Sequence, residues 1–148
     1  MVMQRLILVI TLFIFSAGVL SAGENNKNAE NKIKNYFKDV MVKVTNEKDF
    51  TKKREILNSS LEKMDKVLST VASYSDNDNE LSALNKMRAE VKNKLDELNG
   101  KNGFDKVQDS ELNNFSTYVM QNFETADTYL YVSVTALLII ALLLILLL

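Results

Sequence analysis

Four apolar stripes with helical spacing constrain this chain more than any other feature. Leu57, Leu61, Met64, Leu68 and Val71 step by four, three, four and three residues. That rhythm keeps all five on one side of a helix turning once per ~3.6 residues. A stripe before it runs Ile33, Phe37, Val40 and Val44, widened by Tyr36 and Met41. A stripe after it runs Leu81, Leu84, Arg88, Val91, Leu95 and Leu98, with Met87 beside the seam, and a last one runs Leu112, Phe115, Val119, Phe123, Ala126 and Leu130. Each covers only two to three heptads, which suits a short bundle better than a long coiled coil. With no proline and 4 glycines in 148 residues, turn chemistry for a β-rich fold is missing. The expected fold is all-α, a small antiparallel bundle of three to four helices with Leu57, Leu61, Met64, Leu68, Val71, Leu84, Val91, Leu95 and Leu98 on its seam. Arg88, on that seam, reads as a shoulder residue that lays its stem on the core and its head in water.

Most of the breaks between stripes carry turn signals. Residues 73–79 are polar, and Asn77 with Glu80 three positions on has the spacing of a capping box. Asn99-Gly100 ends the third stripe, because glycine accepts the left-handed conformation of a C-terminal cap. Asn102-Gly103 then turns the chain. The last helix is expected to begin between Asp105 and Ser110, with Asp105 and Gln108 as one cap pair. The break near Thr45–Thr51 has neither glycine nor proline and is the least marked.

Both ends of the chain are apolar. Leu130–Leu148 carries no charge, glycine or proline. As one helix it would measure roughly 28 Å, against ~30 Å for the hydrocarbon core of a bilayer. The expectation is a single C-terminal transmembrane helix over residues 129–148, continuing the last bundle helix as a rod or through a hinge at Thr125–Thr128. Its anchor residues are Tyr129, Leu130, Tyr131, Leu137, Leu138, Ile139, Ile140, Leu142, Leu143 and Leu144. At the other end, a basic opening through Arg5, an apolar Leu6–Phe15 and a small-residue run to Gly23 have the order of a secretory signal peptide. The expected organisation is a signal peptide over residues 1–22, a disordered Asn/Lys/Glu-rich lead over 23–31, a bundle over 32–128 and the span.

No Lys or Arg follows Lys106, and Asp109, Glu111, Glu124 and Asp127 flank the tail. Cytoplasmic flanks are enriched in Lys and Arg, so this acidic flank places the body outside and the C-terminus inward. Tyr129 and Tyr131 sit where an interfacial aromatic belt would lie. A second account of the same tail is a removable GPI-type anchor signal on a coat or adhesion protein, although Thr125-Ala-Asp127 is a poor small-residue triplet for it.

Composition removes most catalytic chemistry. The chain has no His and no Cys, hence no imidazole base, no thiolate and no borderline or soft metal ligand. A hydrolase or transferase would have to rely on carboxylates, Lys and Ser, and no spacing sets a nucleophile beside a base. Asp76-Asn-Asp-Asn-Glu80 opens like a calcium loop, but the sixth and twelfth positions hold Leu81 and Met87 where Gly and Glu are needed. Asn58-Ser-Ser60 and Asn114-Phe-Ser116 match the glycosylation sequon inside predicted helices. Lys52-Lys-Arg54 reads as a solvated helix face, and a net charge of −1 gives no pull toward nucleic acid. No cofactor, metal or small-molecule substrate is expected. The expected partners are the membrane and another protein or a second copy, because a bundle this small has a thin core.

Overall fold

The structure is a computed structural model that describes residues 22–124 and 131–146. Five α-helices are found among those residues: α1 (Ala22–Asn46), α2 (Phe50–Ala72), α3 (Asp78–Asn99), α4 (Leu112–Glu124) and α5 (Val134–Leu146), with a 3₁₀ turn over Asp109–Glu111 leading into α4. The all-α expectation holds. Residues 1–21, which carry the expected signal peptide up to its last position, lie outside the described residues.

The α2–α3 hairpin is the best-marked unit. Asp49 caps α2, its carboxylate accepting from the backbone N–H groups of Thr51 and Lys52. Asn77 caps α3 in the same way toward Asn79 and Glu80. Gly100 closes α3 at φ +67°, and a Cβ there would sit 2.7 Å from that of Lys106. The two helices run antiparallel, since Asn58 bonds to Asn99 near one end and Asp65 pairs with Arg88 at 3.0 Å farther along. Arg88 is thus a half-buried shoulder residue with an ionic partner. Met87, fully buried, fills the seam position beside it.

Helix α1 packs antiparallel to α2 and carries Tyr36, whose hydroxyl donates to the Ser60 carbonyl at 3.1 Å. Burial pushes the Tyr36 phenol above its usual range, with that hydrogen bond opposing. Helix α4 returns along α1. Phe37 and Phe123 stack at a centroid distance of 4.1 Å, while at the opposite end of α4 the Lys53 ammonium donates to the Asn113 amide oxygen. Leu57, Leu61, Met64, Leu68, Val71, Leu84, Val91 and Leu98 lie in the common core, and Leu95 is packed half-buried against it.

Several boundaries differ from expectation, each for a local reason. The first helix opens at Ala22, so the backbone of residues 23–31 is helical rather than an unstructured lead; no glycine after Gly23 and no proline interrupts that run. The unmarked break after α1 is a tight turn, in which the Glu47 carboxylate accepts from Lys48 N at 2.8 Å and Asp49 N at 3.0 Å. Helix α4 opens at Leu112, just past the expected Asp105–Ser110 window, because the 3₁₀ turn over Asp109–Glu111 leads into it, and Gln108 makes no side-chain cap bond. Finally, Lys52-Lys-Arg54 is a solvated face only at Lys52. The Arg54 guanidinium donates to the carbonyls of Leu98 and Val107 and to the Asp109 carboxylate, and so serves one of the carbonyls in the last turn of α3, where helical partners run out.

Candidate functional site

The chain's chemistry is concentrated in contrast rather than in catalytic groups, and the contrast is sharpest at α5. Its thirteen residues are all uncharged and, apart from Thr135, apolar. Such a helix has no polar side to turn toward water. Nevertheless it lies against the body, packing on α1 and α2. Ala136, Leu137, Ile140, Ala141 and Leu144 are buried, and all but Ala141 join the same core as the rest of the bundle. Their spacing puts them on one side. On the other, Leu138, Leu142, Ile145 and Leu146 are 40%, 41%, 55% and 57% exposed. Ile139 and Leu143 fill the flanks, half-buried.

This geometry corrects the expectation of one continuous span. Tyr131–Ser133 is not α-helical, so the described part of the tail, residues 131–146, is not a single straight helix. At roughly 20 Å, α5 is shorter than a bilayer core, and among the described residues no helix is long and apolar enough to cross a membrane. Tyr129 and Leu130, with Ala126 of the last stripe, lie outside the described residues. Tyr131, the remaining belt residue, is 65% exposed. The physical reason for the break is Ser133, whose hydroxyl accepts from Ala136 N at 3.2 Å and caps α5. A serine before an unbroken apolar run is a readable start signal.

Ser133 also ties α5 to the start of α3. Its backbone N–H donates to the Glu80 carboxylate at 2.7 Å, and the Ser75 hydroxyl donates to the same carboxylate at 2.6 Å. Partial burial pushes Glu80 upward, but the bonds from Ser133 and Ser75 outweigh it and hold the carboxyl below its ordinary value. The capping-box expectation is therefore half right. Asn77 caps α3, whereas Glu80 does not reach back to Asn77 N, which donates to the Ser75 hydroxyl oxygen at 3.4 Å instead. Glu80 is left to hold the tail.

Elsewhere the polar groups are structural. The buried Lys94 ammonium sits 3.7 Å over the Tyr118 ring, donates to the Tyr118 oxygen and pairs with Glu97 at 3.1 Å. A surface hollow of about 300 Å³ between α1 and α2 gathers Lys43, Lys63 and Glu55 around Tyr36, with no nucleophile hydrogen-bonded to a base. Both sequons fall within helices: Asn58 is bonded to Asn99, and Asn114 donates to Glu111. Among the described residues no group of three or more carboxylates is placed to hold a metal. No family model, curated protein or solved structure matches this chain.

Proposed function

We propose that this protein is a membrane-tethered, non-enzymatic helical module whose anchor is α5 with the uncharged run around it. The single observation that carries this proposal is the apolar circumference of α5, with Leu138, Leu142, Ile145 and Leu146 exposed along one side. In water that stripe is an unfavourable surface; in lipid it is an ordinary one. The acidic flank, with no Lys or Arg after Lys106, supports a body on the outer side of the membrane. With neither His nor Cys, the module works by contact, holding a protein partner or a second copy at the cell envelope.

The test is fractionation of cells making the full-length chain, followed by protease added outside intact cells or spheroplasts. Expected is a membrane-bound protein that resists alkaline carbonate and is cut in its exposed loops, with α5 retained in the mature chain. Recovery in the soluble fraction overturns the anchor. A body untouched by protease, yet cut after permeabilisation, overturns the topology. A mature C-terminus upstream of α5 replaces the anchor with a removable signal.

A further inference from the structure

We infer that α5 is a self-sheltered anchor, docked on α1 and α2 in the lipid-free protein and released about Tyr131–Ser133 to enter a bilayer as a lengthened helix. This rests on the membrane-tethered reading above and adds the mechanism by which an apolar tail stays attached to a small water-facing body.

Three observations carry it. First, α5 has no side that prefers water, so its inner face is equally suited to the bundle core and to lipid, while its outer stripe is suited only to lipid. Docking covers half of the helix; a bilayer covers all of it. Second, the contact that holds the start of α5 is replaceable. Ser133 stands just before α5, and its backbone N–H is served by the Glu80 carboxylate at 2.7 Å. If the helix grows backward through Tyr131–Ser133, an ordinary backbone carbonyl four residues earlier takes over that N–H. The exchange leaves no orphaned donor in the hydrocarbon region, where unsatisfied backbone groups are excluded. Third, growth supplies the missing length: Val134–Leu146 alone is too short to cross, but the uncharged run Leu130–Leu148 approaches the bilayer core as a single helix. Release also uncovers the faces of α1 and α2 beneath α5, so the docked form is favoured wherever lipid is absent. The outcome is a two-state element whose equilibrium is biased by the bilayer itself.

The chain has no Cys and no Trp, which makes the test clean. In full-length protein, Leu138→Trp puts a reporter on the exposed side of α5, near the middle of the uncharged run. Glu80→Cys with Ser133→Cys allows the joint to be bridged by a short reducible bis-methanethiosulfonate linker. Bridged and reduced samples are mixed with phosphatidylcholine vesicles brominated near the acyl-chain ends, and far-UV circular dichroism checks that both are equally helical. Expected is quenching of the reporter in the reduced protein that is severalfold stronger than in the bridged protein. Equal deep quenching in the two overturns the release mechanism and leaves the anchor standing. No quenching in either, nor in protein carrying only Leu138→Trp, overturns the anchor and the release mechanism with it.

Discussion

The α2–α3 hairpin and α5 are both helical and both buried on one side, yet they are specified in different ways. Phe50–Asn99 alternates apolar seam and charged face, so only one side of each helix can enter a core. Its ends are fixed by Asp49, Asn77 and Gly100. For α5 the sequence supplies a start, Ser133, and a surface that is the same all round. The hairpin therefore encodes a single packing, whereas α5 encodes a property, insolubility in water, that a bundle core and a bilayer both satisfy. Amphipathic pattern specifies a partner; uniform apolarity specifies only the absence of water.

The largest test of that contrast is the same substitution on either side of it. Leu84 is fully buried in the hairpin, and Leu84→Ala is expected to cost roughly 2–5 kcal/mol of folding stability through lost transfer energy and a cavity. Leu142, on the exposed side of α5, is expected to change stability by no more than about 0.5 kcal/mol as Leu142→Ala, while vesicle binding weakens. Urea denaturation of the two variants reads the first quantity and vesicle flotation the second. Comparable losses of stability at both positions would mean that the outer side of α5 is covered in the free protein.

Next come the ends of the hairpin. Gly100→Ala forces a side chain into the left-handed region and toward the Lys106 Cβ, 2.7 Å away. The conformational part alone is worth about 1–2 kcal/mol, and Lys106 must move as well. Asp49→Ala and Asn77→Ala each remove a cap that serves two backbone N–H groups and are expected to cost about 0.5–2 kcal/mol. Thermal unfolding orders the three. A Gly100→Ala variant as stable as the parent would show that the turn over residues 100–107 yields freely and does not fix where α3 ends.

What was legible in the sequence follows from the same distinction. Stripe spacing located all four amphipathic helices, because burial of one side imposes a period on the residues themselves. Arg88 was readable as a shoulder residue, since an arginine can lay its stem on a core; its partner Asp65 belongs to another helix and no local pattern announces it. The turn at Glu47–Asp49 was poorly legible because its bonds come from carboxylates rather than from glycine or proline. Lys53 and Lys94 gave no signal, as their burial depends on Asn113 and Tyr118, far away in the chain. The tail was the least determined. Uniform apolarity supports a span as readily as a docked helix, and the role of Glu80 in holding Ser133 depends on a contact between residues 53 positions apart.

The smallest expected effect tests that contact through protonation. Hydrogen bonds from Ser133 and Ser75 hold the Glu80 carboxyl below its ordinary value of 4.5, and the groups around it are neutral donors. A carboxyl whose folded value is depressed contributes stability that is fully present above the unfolded value and is lost as pH falls through the folded one. The Glu80 contribution to docking is therefore constant near neutrality and fades only in the acid range. Glu80→Gln keeps an acceptor for Ser133 N–H but removes the charge, so the parent exceeds the variant in thermal midpoint at about pH 6 and the gap closes toward about pH 3. The exposed Glu47 carboxyl, also held low by the backbone N–H groups of Asp49 and Lys48, is common to both proteins and cancels in the difference. A gap that stays the same across this range would mean that the carboxylate charge does not hold α5 against the body.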